Sequence, residues 1–454
     1  MTTQTTLTLE QLQAQVEMLL ASNDLSALRE LLADTHPADI ADLLGALDEE
    51  QRPRVFALLD LHTAAEVLDE TQADVTQDLL EGLPKSQVAD LLEALPMDDA
   101  AELLSELPSK QASELVALME PEDAAEVRTL LSYEDSTAGR LMTEKVVRVR
   151  RRWSAQQTID YLRSVDPETE TFASLYVVDD DGRLTGVVPL RRLLTAPPGA
   201  LIGDLLDPDV ISVHVDTDQE DVARLVAKYD FAAIPVVGRQ GRLAGIITHD
   251  DVVDILEEEF TEDVQRLGGS VPLGKPYLAT STLAVAWKRV GWLLLLFITE
   301  TLTGSVLRLF EEELSSVVAL SFFIPLLIGT GGNAGSQTTS TLIRALATGE
   351  VSPRDGLRAL WHEVRVGVLL GLVMAAVAYL RALTWGSGPN LALTVALAIS
   401  SIVLWANLLG SILPLLAERM GVDPTVISGP VMSTLVDATG LFIYFSIART
   451  VMSI

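Results

Sequence analysis

No cysteine occurs in the 454-residue sequence, which excludes disulfides and thiolate metal sites and leaves oxygen as the main ligand. Aromatic residues make up only 5%, and bases are scarce: 32 Lys and Arg against 64 Asp and Glu, a net charge of −32. A field this negative disfavours nucleic acid and anionic headgroups and attracts cations. The first twenty residues lack a basic stretch followed by an apolar run, so no cleaved signal peptide is expected and the chain is expected to start in the cytoplasm. No nucleophile–base arrangement, P-loop or metal-hydrolase motif is found, so an enzyme is not expected.

What is present is divided unevenly. Before Lys275 stand 54 acidic and 21 basic residues, a net of −33, while the remainder is nearly neutral and apolar. A soluble acidic part followed by a membrane part is the simplest reading. Within residues 1–134, Leu83-Pro84, Leu95-Pro96 and Leu107-Pro108 recur every 12 residues around runs such as Ala100-Ala101-Glu102-Leu103-Leu104. Each unit holds two or three helical turns ending near a proline, and such short helices are stable only when stacked. A compact all-α superhelical N domain is expected. Asp98 and Glu102, four apart, face the same way.

The pattern changes near Ser136. Extended runs such as Ser174–Val178 and Ala233–Val237 appear, with helical stretches at 155–163 and 219–229 between strands. Gly182-Arg183-Leu184 returns 59 residues later as Gly241-Arg242-Leu243, a tandem β-α-β-β-α unit over 135–250. The pair resembles tandem CBS domains. Gly245-Ile-Ile-Thr248-His-Asp-Asp251 looks like that family's ribose- and phosphate-contacting stretch, which implies an adenosine nucleotide such as ATP as a regulatory ligand on Thr248 and Asp251. The first repeat reads Gly186-Val-Val-Pro189-Leu-Arg-Arg192 and departs from the pattern.

Acidic residues crowd this region. Asp216, Asp218, Glu220 and Asp230 surround the helix of the second repeat. Eight acids and no base fall in residues 250–263. Like charges four apart on a helix repel, so an acidic connecting helix over 251–275 is better explained by an interface held by cations. Asp251, Asp254, Glu258 and Glu262 recur on it at helical spacing.

The membrane part, 276–454, contains five apolar stretches of spanning length, near 284–308, 316–344, 366–384, 391–416 and 427–449. Lys275, Lys288 and Arg289 precede or begin the first, and Arg344, Arg354, Arg358 and Arg365 fall between the second and third. Basic residues mark the inner side, so a cytoplasmic N-terminus and an extracytoplasmic C-terminus are expected in the cell membrane. The second stretch carries Pro325 and Gly329-Thr-Gly-Gly-Asn333-Ala-Gly-Ser-Gln337, and the fifth carries Ser428-Gly429-Pro430, Thr434 and Asp437. Polar groups at this depth need protein or water around them, and a carboxylate there is usually a pathway or binding residue. Pro325, Pro414 and Pro430 offer carbonyls where they interrupt helices. Hard oxygen ligands fit Mg²⁺, Ca²⁺ or Mn²⁺ alike.

The whole order, with Pro325 to Gln337 and Ser428 to Gly440, resembles the MgtE family of magnesium channels. The resemblance implies a homodimer in the lipid bilayer with its pore between subunits, lined by Asn333, Gln337, Thr434 and Asp437. It implies that Asp437 holds transported hydrated Mg²⁺. Asp218, Glu220, Asp230, Asp251, Asp254, Glu259, Glu262 and Asp263, together with Asp98 and Glu102 in the N domain, are then regulatory ion positions, and Glu258 joins them by its place in the acidic run. The expected activity is Mg²⁺ uptake shut off by cytoplasmic Mg²⁺. The alternative is an ion-coupled secondary transporter of Mg²⁺, Mn²⁺ or Co²⁺.

Overall fold

The computed structural model describes residues 8–165, 173–273, 277, 280–427 and 429–453, with Ala73 and Glu106 described by backbone alone. Lys275 and Ser428 therefore lie outside the described residues. Contacts divide the chain into two compact units, 1–257 and 258–454.

The first unit begins with ten short helices: α1 (Leu9–Ser22), α2 (Leu25–Ala33), α3 (Pro37–Ala46), α4 (Arg52–Phe56), α5 (Leu61–Asp69), α6 (Ala73–Glu81), α7 (Lys85–Glu93), α8 (Met97–Glu106), α9 (Ser109–Val116) and α10 (Pro121–Leu130). The prolines of the 12-residue repeat open helices as well as ending them: Pro84, Pro96 and Pro108 are the N-cap residues of α7, α8 and α9. There a fixed φ suits the extended cap. Asp24 and Asp60 cap α2 and α5 by accepting from the Ala27 and Thr63 amides. Helices of five to fourteen residues hold because leucines such as Leu43, Leu68, Leu92 and Leu104 are buried in one shared core.

Two small sheets follow. β1 (Arg148–Arg150), α11 (Ala155–Leu162), β2 (Ser174–Val178), β3 (Leu184–Pro189) and α12 (Leu190–Thr195) form the first repeat, and α13 (Ile202–Leu205) follows it. β4 (Val213–His214), α14 (Gln219–Tyr229), β5 (Ala233–Val237), β6 (Leu243–Thr248) and α15 (His249–Leu267) repeat the order. Each sheet pairs its first two strands parallel and its last two antiparallel, with one register shift at matching places. Tyr176, Val178, Leu243 and Ile246 form one buried cluster drawn from both repeats. The second repeat shares the N-terminal helices' core through Val213, Val222, Ile234 and Ile255. The expected β-α-β-β-α duplication is therefore present, after an all-α region.

The second unit contains α16 (Thr282–Leu309), α17 (Glu311–Ser316), α18 (Ile324–Ala347), α19 (Gly356–Thr384), α20 (Pro389–Arg419) and α21 (Gly429–Met452). Five stretches are long and apolar enough to cross a membrane, which makes this a multi-pass membrane protein. α19 starts ten residues before the apolar stretch that marks it, because a soluble-looking turn of charges continues the same helix. Pro325 and Pro430 stand in the first turns of α18 and α21 rather than interrupting them. Only Pro414 is internal, in α20. Gly331 permits close helix packing: a Cβ there would lie 2.5 Å from Ile402 Cγ2 and 2.8 Å from Val436 Cγ1.

Candidate functional site

In the first unit, Asp98 and Asp99 open α8, where the helix N-terminus favours negative charge. Asp251 lies in the first turn of α15, where its carboxylate reaches back to accept from the Thr248 amide at 3.0 Å and the Thr248 hydroxyl at 2.6 Å. One carboxylate oxygen from each of these three residues lies within 4.8 Å of the other two. Asp98 is buried, at 7% exposure. Oxygens opposite one another around octahedral Mg²⁺ are about 4.2 Å apart, so the donor set and its spacing fit a hard dication.

The electrostatics show what the grouping costs without a cation. Burial, and after it the Asp98 carboxylate, push Asp99 up to about 10. Burial and then Glu70 push Asp69, at the end of α5, up to about 7. The Asp69 side chain is exposed at its rim, so solvent screens it and Asp99 carries the stronger effect. Asp251 is raised by burial, against the Thr248 hydrogen bonds that lower it. Neutralising this cluster takes protons or a metal.

Of the residues singled out by sequence, Asp98 and Asp251 meet here. Glu102 is exposed, one turn further along α8, yet acts on Asp69 and Asp99. Asp254 is exposed and raised by burial and then by Asp251. Asp99, Asp69 and Glu70 were missed. Asp99 follows Asp98 directly, but an acidic first turn has an ordinary explanation in helix capping. Thr248 is engaged with Asp251, so the nucleotide candidate and the metal candidate share a carboxylate.

Asp218 and Glu220 sit at the start of α14. Asp218 accepts from the Glu220 amide at 2.9 Å, and Glu220 pairs with Arg224 at 2.7 Å. Asp230 closes the same helix with φ 53°, so this trio is split between the two ends of an 11-residue helix. The late part of α15 carries Glu258, exposed, with Glu259, Glu262 and Asp263 partly buried. Glu262 pairs with Arg266, whose other arm reaches Asp423 at 2.7 Å in the loop before α21.

In the second unit α18 and α21 cross on small residues. A Cβ at Gly332 would lie 3.1 Å from Ser433 Oγ, and one at Gly335 would lie 2.9 Å from Met432 Cε. Asn333 and Gln337, one turn apart beside these glycines, are exposed on one face of α18. Thr434 and Asp437 flank the crossing on α21 and are partly buried. The Thr434 hydroxyl donates to the Pro430 carbonyl at 3.0 Å. Trp405 Nε1 donates to the Thr439 hydroxyl at 2.9 Å, fixing α21 against α20 two residues past Asp437. Further carboxylates on spanning helices include Glu300 on α16 and Glu363 on α19. The sequence reading passed over both, because each lies in a turn rich enough in other residues to hide it.

Comparison with known proteins places these parts in one family. Residues 324–447 match the model of MgtE, a divalent cation transporter, residues 35–136 match the MgtE intracellular N domain, and 138–199 and 202–258 match the CBS domain. The magnesium transporter MgtE of Thermus thermophilus is 41% identical over 444 residues, 97% of this chain and 98% of that protein. Its namesake from Bacillus subtilis is 30% identical over 443 residues, again 97% and 98%. The crystal structure of the cytosolic domain of the Mg²⁺ channel MgtE in complex with ATP is 39% identical, with TM-score 0.52, covering 54% of this chain and 99% of that one. The chain belongs to the MgtE family.

Proposed function

We propose that this chain is a magnesium channel that closes when cytoplasmic Mg²⁺ is abundant. The observation that carries the regulatory half is the gathering of Asp98, Asp99 and Asp251, from two helices far apart in sequence, within 4.8 Å. Carboxylates at that spacing oppose the contact between α8 and α15 unless a cation sits among them. Bound Mg²⁺ therefore favours the compact arrangement by mass action, and its loss lets the acidic surfaces separate. Asp254, Glu102 and the late acids of α15, Glu258, Glu259, Glu262 and Asp263, extend the negative surface, with Asp218, Glu220 and Asp230 as outlying positions. The connecting segment over 251–275 transmits the change to the pore domain, 276–454.

Transport itself rests on likeness along 97% of the chain to proteins named as magnesium transporters. Asp437 holds a hydrated Mg²⁺ in the path, since Mg²⁺ gives up water reluctantly and one carboxylate per chain suits an ion that keeps its shell. Asn333, Gln337 and Thr434 line the path. Two copies of the chain complete it, with the N-terminus cytoplasmic and the C-terminus outside. The nucleotide reading also stands as a proposal: a relative's cytosolic domain was crystallised with ATP, and Thr248 and Asp251 are the positions here that would meet it, as a regulatory ligand. Mg²⁺ uptake by liposomes holding the purified chain, with no Na⁺ or proton gradient and with Ca²⁺, Mn²⁺ and Co²⁺ as competitors, tests the reading. Passive, Mg²⁺-preferring uptake is expected; uptake that needs a second ion gradient means a coupled transporter instead.

A further inference from the structure

Glu363 is a carboxylate with unusual company. It lies on α19 just before the apolar stretch of that helix, and its Oε2 accepts from the Thr338 hydroxyl of α18 at 3.3 Å and from Asn407 Nδ2 of α20 at 3.5 Å. Thr338 is 7% exposed and Asn407 1%. Among the described residues no base forms an ion pair with Glu363. A carboxylate held only by neutral donors between spanning helices is costly, so it needs a compensating role. Asn407 Oδ1 is buried without a hydrogen-bond partner, so this polar junction is short of donors.

The surrounding packing gives the role. Glu363, Gly367 and Gly371 recur every four residues along α19 and share a face. Cβ atoms at the two glycines would lie 3.3 Å from Asn407 Cβ and 3.0 Å from the Ser400 carbonyl, so this face approaches α20 closely. On the other side a Cβ at Gly410 would lie 2.8 Å from the Gly335 carbonyl and 3.1 Å from Thr338 Cβ. Three helices thus meet around one carboxylate, and Thr338 directly follows Gln337.

We propose that Glu363 is a positioning residue for the ion path: its carboxylate is the shared acceptor that locks the glycine-rich α18 against α19 and α20, and so sets the face carrying Asn333 and Gln337. The glycines let the helices approach but give no direction to hold, because they offer no side chain. The carboxylate supplies that direction through two hydrogen bonds from different helices. The role rests on the channel reading above, since Asn333 and Gln337 matter only if ions pass them.

Glutamine at 363 keeps an acceptor for Thr338 and adds a donor for Asn407 Oδ1, whereas alanine leaves both partners unserved. Thr338→Val removes one donor at nearly constant volume and guards against Glu363→Ala simply failing to fold. In liposomes, Glu363→Gln is expected to keep half-saturating Mg²⁺ within about twofold of wild type, and Glu363→Ala and Thr338→Val to raise it about fivefold or more while raising Co²⁺ passage relative to Mg²⁺. Unchanged half-saturation and selectivity in both of the latter variants would overturn the proposal, as would Glu363→Gln failing as fully as Glu363→Ala. A wild-type chain that passes no Mg²⁺ sinks the channel reading instead. The lock is then read from thermal midpoints of Glu363→Ala, Asn407→Ala and the double variant: non-additive shifts support it, and additive ones reject it.

Discussion

The Thr339 hydroxyl of α18 donates to the Gly410 carbonyl of α20 at 3.4 Å, the carbonyl that Pro414, four residues on, cannot serve. A proline inside a spanning helix frees one acceptor, and a neighbouring helix uses it. Thr339→Val should cost about 0.5–1.5 kcal/mol. Gly410→Ala should cost more, about 1–3 kcal/mol, since its Cβ meets backbone that cannot swing aside. Thermal unfolding in detergent orders the two, and the reverse order contradicts this packing.

The acidic trio predicts a pH dependence with a definite sign. Asp99 and Asp69 have folded-state values above the ordinary 3.8, at about 10 and about 7. Below pH 3.8 both states hold these protons and nothing is lost. As pH rises above 3.8 the unfolded chain ionises freely while the folded one resists, so this contribution to metal-free stability falls, until about pH 7 for Asp69 and about pH 10 for Asp99. Mg²⁺ needs the ionised form, so the upward shift in melting temperature on adding Mg²⁺ should grow between pH 5 and 8. A shift that stays flat across this window, or shrinks, contradicts the assignment.

Asp99→Asn should cut that Mg²⁺-induced shift sharply, and Glu102→Gln should cut it less, because Asp99 belongs to the close trio and Glu102 is exposed. The metal-free protein should gain stability from Asp99→Asn near pH 7, since folding no longer has to protonate a carboxyl that is ionised in the unfolded chain. Thermal melts at pH 7 with and without Mg²⁺ check both, and equal losses in the two variants would shift the site outward along α8.

This ordering shows how far the sequence could be read. The 59-residue repeat, the prolines and five apolar stretches carry strong periodicities, so the all-α region, the duplicated α/β unit and the spanning helices were legible. Asp98 and Asp251 were legible as acids in unusual runs. Their meeting was not, because the 152 residues between them contain no local pattern that records a tertiary contact. Asp99 was hidden by the ordinary preference of helix starts for acids. Glu363 was hidden because its three-helix setting depends on Thr338 and Asn407, each unremarkable in its own segment.

Arg266 joins Glu262 on α15 to Asp423 before α21. The Arg266 and Asp423 side chains are more than a third exposed, and such a pair is worth about 0.2–1 kcal/mol, so Arg266→Gln should hardly change stability. It should alter how strongly internal Mg²⁺ suppresses flux, because the acidic helix loses its link to the segment leading into α21. Flux measured against internal Mg²⁺ reads this, and an unchanged inhibition curve counts against coupling through Arg266.

Glu313 is 4% exposed and paired with Arg449, whose guanidinium lies 5.8 Å from the Phe310 ring centre. Arg449→Ala strands a buried carboxylate. With Arg449 itself largely exposed, the loss should be about 1–3 kcal/mol. Glu313→Gln should cost less, because no charge is left behind. Thermal midpoints in detergent decide, and a larger loss in Glu313→Gln contradicts the buried-charge argument.

The most direct test of the whole account is ²⁸Mg²⁺ entry into liposomes bearing matched amounts of wild-type and Asp437→Ala protein. The account predicts selective entry for the wild type and its loss, or loss of its preference over Co²⁺, for the variant. Undiminished and equally selective entry with alanine at 437 would contradict it.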